Sequence, residues 1–242
     1  MALRIFNTDP DAKPEPRKPV EYTRTEYAFQ FRSGMQVYNP EKKKNEPVSL
    51  ANWRVLTADP VVADAIAELL GGAVEEYDPT KELNLHVLTD SPSVEIVIEG
   101  SKSIEDKLIL WGAAGPIHEC DGEFFLSPPE DKGAPCGCPP ILSERKELAK
   151  KRRGPSPAIV VPFRLAGHGY ELGVGKLMGT AWSLAEVIHE VKEALDRVEG
   201  EALCRLELEH VQYVNKAGID VSYRKPVITV LGSYNDAIGE QR

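Results

Sequence analysis

The chain of 242 residues carries 29 Lys and Arg against 38 Asp and Glu, a net charge of -9, with 42% hydrophobic and 28% charged residues. That length supports a real core in one large domain or two small ones, and the composition is ordinary for a soluble globular protein. No apolar run approaches the roughly 18 residues of a transmembrane helix, and the opening MALRIFNTDPDAKPEPRKP lacks the apolar h-region of a signal peptide. The chain is therefore expected in a reducing cytoplasm, where clustered cysteines are metal ligands more often than disulfides.

The charge is unevenly spread. Residues 46–131 carry 4 basic and 18 acidic side chains, net -14, whereas residues 1–45 are net +3, residues 132–153 net +5 and residues 154–242 net -3. Non-specific DNA affinity comes almost wholly from basic contacts to phosphate, so an acidic middle argues against autonomous duplex binding.

In chain order, residues 1–25 are Pro-rich and charged and read as a flexible arm. A β-rich acidic domain is expected over residues 26–142. Tyr27, Phe29 and Phe31 share one face of a strand, Met35 and Val37 continue it after Ser33-Gly34, and the pattern reads as a hairpin turning there. The run Glu41-Lys42-Lys43-Lys44-Asn45 is a solvated loop. Trp53 and Val55 mark a further strand. Asp59-Pro60 opens a helix with Asp as N-cap, whose stripe is Val62, Ala63, Ile66, Leu69 and Leu70 and whose stop is Gly71-Gly72. Leu83, Leu85 and Val87 alternate, as do Val94, Ile96 and Ile98, giving two more strands with His86 on a polar face.

The stretch HECDGEFFLSPPEDKGAPCGCPP at residues 118–140 reads as a zinc knuckle with His118, Cys120, Cys136 and Cys138 as ligands of a structural Zn²⁺. Gly137 lets the backbone turn tightly enough for Cys136 and Cys138 to face one ion, and Pro135, Pro139 and Pro140 stiffen that turn. These spacings are tighter than the common two to four residues. The bland alternative is a pair of turn cysteines with free thiols beside a solvated histidine. A deaminase-type catalytic zinc would need His-x-Glu and Cys-x-x-Cys, but Cys120 stands where the Glu would be. Four protein ligands leave no open position for water, which points to folding and not to chemistry.

Residues 143–157 read as a basic helix and linker carrying Arg145, Lys146, Lys150, Lys151, Arg152 and Arg153, with the break at Gly154-Pro155-Ser156-Pro157 as a domain boundary. Such a cluster is more often a solvated face than a site, but beside a DNA-working partner Lys150, Lys151, Arg152 and Arg153 can reach phosphate. Residues 158–235 read as a second, α+β domain in the order β-β-α-β-β, followed by a frayed polar tail over residues 236–242. Its helix has Ser183 and Glu186 as a capping box and Leu184, Val187, Ile188, Val191 and Leu195 as the buried stripe, with His189 exposed and Gly200 as the stop. Cys204, alternating with Leu206 and Leu208, is expected to be a small buried hydrophobe. The fold class is thus α+β, with a β-rich N-terminal part bearing the knuckle.

Catalytic motifs do not assemble. GVGKLMGT at residues 173–180 fails as a phosphate loop, since Tyr170 and Leu177 stand where a Gly and a Ser or Thr are needed. There is no Gly-x-Ser-x-Gly elbow and no His-Glu-x-x-His, so the chain reads as a non-enzyme.

Several blocks resemble a known family. These are Arg4-Ile5-Phe6 with Thr8-Asp9-Pro10, Trp53-Arg54-Val55-x-Thr57-x-Asp59-Pro60, Cys136-Gly137-Cys138-Pro139 with Glu144-Arg145-Lys146, and Val221-x-Tyr223-x-x-Pro226-Val227. Together they resemble the recombination directionality factors of actinophage large serine integrases, the Gp3-like family. The resemblance implies an accessory protein of the bacterial host's cytoplasm that binds the integrase, at its coiled-coil region, and reverses the preferred direction of recombination. It implies no catalytic residues and contact with DNA only through the integrase. Two other classes are compatible with the composition: a phage single-strand DNA-binding or recombination accessory protein, against which the low aromatic content argues, and a small zinc-stabilised regulatory protein with another protein partner.

Overall fold

A computed structural model describes residues 27–168, 170–215 and 218–240. The expected N-terminal arm therefore lies outside the described residues, as do the opening residues of the family resemblance.

The first two strands form a long hairpin, β1 (Phe29–Asn39) and β2 (Lys44–Thr57). Its turn is not at Ser33-Gly34, as the sequence suggests, but in the Lys-rich run. There Asn39 Oδ1 accepts from the N–H groups of Glu41 and Lys42 at 3.0 and 3.1 Å, and Lys43 takes a left-handed φ of 49°. An Asn side chain that copies a backbone turn explains the site chosen. Ser33-Gly34 is instead a bulge, with the register shifting between Arg32 and Gly34. A Cβ on Gly34 would come 2.8 Å from the Val48 carbonyl oxygen.

Helix α1 (Pro60–Leu70) starts as expected, with the Asp59 carboxylate accepting from the Val61 N–H at 2.9 Å and Pro60 in the first turn. It buries Val62, Ala63, Ile66 and Leu70, while Leu69 stays exposed. Short strands β3 (Val74–Glu76) and β4 (Leu85–Leu88) follow, then β5 (Ser93–Ile98), β6 (Glu105–Gly112), β7 (Gly115–Cys120), β8 (Phe125–Ser127) and helix α2 (Leu142–Lys150). The chain continues through β9 (Ser156–Leu165), β10 (Gly175–Gly179), α3 (Trp182–Asp196), β11 (Ala202–Val214), β12 (Asp220–Ser233) and α4 (Tyr234–Glu240). The last helix stands where a frayed tail is expected. The architecture is β-rich α+β.

The strand order is β12-β11-β5-β9-β10-β1-β2-β4-β3, and β6 pairs with β9 while β7 joins β6 to β8. All pairings are antiparallel except β1 with β10. Strands from before and after residues 154–157 interleave: β5 lies between β11 and β9, and β1 lies beside β10. The expected domain boundary consequently feeds straight into β9, and hydrogen bonding runs across it. One main core is common to both halves, with Phe29, Phe31, Trp53 and Phe163 at its centre and ring centroids 5.4 to 6.0 Å apart. Edge-on aromatic packing at this distance adds to simple burial.

The glycines of residues 173–180 are structural. A Cβ on Gly175 would meet Phe29 Cε2 at 1.9 Å, and one on Gly179 would meet Leu184 Cδ2 at 2.3 Å. Helix α3 buries Leu184, Ile188, Val191 and Leu195, but Val187 is exposed. The capping box is not formed: Ala181 is the N-cap, without a side-chain bond, and the Glu186 carboxylate pairs with Lys146 of α2 at 2.5 Å. A cationic partner on the neighbouring helix has taken the carboxylate that the cap would use. Cys204 is fully buried.

Candidate metal centre

His118 and Cys120 lie two apart on β7, so the pleat places both side chains on one face. This is why the His-x-Cys spacing works without a turn. Their cross-strand partners on β6 are Leu110 and Leu108. Cys136 and Cys138 come from the loop after β8, on either side of Gly137, whose φ of 70° is left-handed. That loop is tied down by backbone bonds: the Cys136 N–H donates to the Glu123 carbonyl at 2.8 Å, Phe125 N–H to the Ala134 carbonyl at 2.9 Å, and Gly133 N–H to the Phe125 carbonyl at 2.9 Å.

These constraints bring one ligand atom from each of His118, Cys120, Cys136 and Cys138 to within 4.8 Å of one another. Cys120 Sγ lies 3.8 Å from Cys138 Sγ, and Cys138 Sγ lies 3.5 Å from His118 Nε2. A tetrahedral ion with Zn–S near 2.3 Å and Zn–N near 2.0–2.1 Å sets its ligands about 3.8 Å (S to S) and about 3.6 Å (S to N) apart. The spacing fits that ion and is far too long for a disulfide, and all four cysteines are free. The donor set can hold a metal ion.

The electrostatics agree. Burial, with Cys138 and Cys136 close by, pushes the Cys120 thiol well above its ordinary range; burial also raises the Cys138 thiol and lowers the His118 imidazole. Without a cation the cluster favours neutral groups; a bound divalent ion supplies the charge that ionises the thiols. Around it Leu108, Cys120 and Cys136 form a small apolar cluster with Phe125 and Trp182, separate from the main core. The His118 ring packs on Phe125 at 4.7 Å.

The chain matches the model of the family described as Gp3-like, recombination directionality factor-like, over residues 30–231. The chain belongs to that family. No solved structure matches it. In this family member the knuckle is also where the basic segment is anchored. Arg145, counted in the sequence among the segment's cations, turns inward: its Nη2 donates to the Gly122 carbonyl at 2.8 Å and its Nε to the Pro139 carbonyl. Lys150, Lys151, Arg152 and Arg153 stay exposed at and just beyond the end of α2, and none of the four has a carboxylate partner among the described residues.

One constellation escaped sequence reasoning. His86 lies on the strand face away from the main core, as expected, but is buried there; its Nδ1 accepts from Arg54 Nε at 2.9 Å, and its Nε2 lies 3.3 Å from Glu75 Oε2. The only signal was Arg54 itself, a charge in the middle of a strand otherwise headed for the core. Among the described residues, no helix is long and apolar enough to cross a membrane.

Proposed function

We propose that this protein is a recombination directionality factor that binds a phage serine integrase, at its coiled-coil region, and switches it from integration to excision between the left and right hybrid sites. It has no catalytic activity of its own, works in the cytoplasm of the bacterial host, and meets DNA only through the integrase. Family membership over residues 30–231 carries this reading. The net charge of -14 over residues 46–131 supports it, because that surface repels phosphate and leaves a protein as the partner to be sought.

The metal is Zn²⁺ in a folding role, held by His118, Cys120, Cys136 and Cys138, since four protein ligands close the coordination sphere. A switch of direction is a population shift. The factor binds the excision-competent arrangement of the integrase more tightly than the integration-competent one, and equal affinity for both would shift nothing.

A surface suited to such contact is the outer half of the β11–β12 ribbon. β5 pairs with β11 only as far as Glu207, and beyond it Tyr213, Val214 and Ile219 are exposed. Clustered apolar side chains of this kind mark interaction sites. The test is a gel shift of attachment-site DNA with this protein alone, with the cognate integrase alone, and with both. A supershift only in the presence of integrase is expected; a shift by the protein alone would refute the reading.

A further inference from the structure

The outer face of the β1–β2–β4 sheet carries two guanidinium groups, Arg32 and Arg54, that have no carboxylate in salt-bridge contact among the described residues. Phe29, Phe31, Trp53, Val55 and Val87 point into the core, so the alternate residues Arg32, Arg54 and His86 lie on the opposite face. Arg32 and Arg54 are direct cross-strand partners. Like charges placed so are destabilising unless something compensates them.

The two buried arginines among the described residues make a contrast. Arg164 has the Glu201 carboxylate at 2.5 Å, whereas Arg54, only 8% exposed, has no carboxylate in salt-bridge contact among the described residues. Glu75 reaches Arg54 only through the His86 ring. Arg54 is held in place instead by neutral groups: His86 at its Nε, and the Tyr77 ring 4.3 Å from its guanidinium carbon. Since His86 stacks on Tyr77 at 5.3 Å and is bonded to Arg54, both lie on one side of that ring. Arg32 is fixed similarly. With the Gln30 amide assigned so that its oxygen faces Arg32, that oxygen accepts from Nη2 and Nε at 2.9 and 3.0 Å. In each case a neutral group holds the inner edge of the fork. Burial lowers the proton affinity of both guanidinium groups, and for Arg32 the charge of Arg54 adds to the effect. A buried cation without a counter-ion is costly, and an anion arriving from outside would remove that cost.

We propose that Arg32 and Arg54 form a carboxylate clamp that takes one Asp or Glu side chain of a protein partner. Two guanidinium groups on directly paired residues suit one carboxylate, which can accept from both. A polyphosphate strand would have to run beside Glu75 and Asp78 on the adjoining β3–β4 segment, whose charge repels it. The partner in this function is the integrase, so that part of the inference rests on the reading above, while the anion chemistry stands without it.

The experiment has two arms. In the first, the full-length protein is titrated with sodium acetate, with sodium chloride and with a ten-residue oligothymidylate while the arginine Nε–H signals are followed by NMR. Acetate should shift the Arg32 and Arg54 signals saturably, chloride at equal ionic strength should not, and Arg32→Gln should abolish the response. No acetate response overturns the clamp, and tighter binding of the oligothymidylate reassigns it to phosphodiesters and overturns the carboxylate. In the second arm, integrase affinity should fall at least about tenfold for Arg32→Gln and for Arg54→Lys, which keeps the charge and loses the planar fork. Wild-type binding with unchanged variants defeats the clamp alone. Failure of the wild type to bind integrase defeats the functional reading, and the acetate arm still decides the site.

Discussion

Removing the metal should loosen the knuckle and leave the main sheet intact, because the cluster of Leu108, Cys120 and Cys136 is separate from the core built on Phe29, Trp53 and Phe163. The perturbation is chelation, or Cys136→Ser. The reporters are the amides of Gly133, Phe125 and Cys136, whose bonds close the loop around the ligands. A ligand that binds only the folded form multiplies protection by about 1 + [L]/Kd, so zinc at about 100 times Kd should raise protection of these amides about 100-fold, or about 2.7 kcal/mol. Hydrogen exchange with and without chelator reads that ratio directly. Amides of β1, β9 and β11, bonded within the main sheet, should change little. Equal protection of the knuckle in both samples, or purified wild-type protein with well under one zinc per chain, would rule out a structural zinc there.

Leu195→Ala should cost about 2–5 kcal/mol, since Leu195 is buried in the α3 stripe; at about 2–4 °C per kcal/mol for a chain of this size the midpoint falls by about 4–20 °C. Val187→Ala, on the exposed side of the same helix, should stay within about 0.5 kcal/mol. The Cys204 thiol, pushed by burial from 9.0 up to about 12, ionises in the unfolded chain before it does so in the folded one. Stability should therefore fall as pH rises above about 9 and level off near 12, and the denaturation midpoint of Cys204→Ala should lose the cysteine's share of that decline. If Lys150, Lys151, Arg152 and Arg153 touch phosphate once the integrase has brought the factor to DNA, neutralising all four should weaken the integrase–DNA–factor complex more at low salt than at high salt. An unchanged complex would mark the four as a solvated face.

The parts of the fold that local chemistry decides were legible. Asp59-Pro60 capped α1 as read, because an N-cap is satisfied within three residues. The four metal-cluster residues were legible because Cys and His advertise a ligand set by residue type, in two tight pairs, even across the loop that separates the pairs. Partners far apart in sequence were not legible. Period-two alternation shows which face of a strand is buried but not which strand lies beside it, so the insertion of β5 between β11 and β9 was invisible and two domains were expected. The Ser33-Gly34 bulge looked like a turn for a similar reason: a glycine that admits a close backbone approach and one that reverses the chain carry the same signal. The alternation places His86 on a polar face but does not show that Arg54 and Glu75, 32 and 11 residues away, bury it there.

In the proposed function this chain reverses the direction of a serine integrase by binding it. The most direct measurement is recombination by the cognate integrase in vitro, scored on both site pairs with and without saturating factor. The factor should switch on the reaction between left and right hybrid sites and suppress the phage-by-bacterial reaction. Unchanged direction at saturation would contradict it.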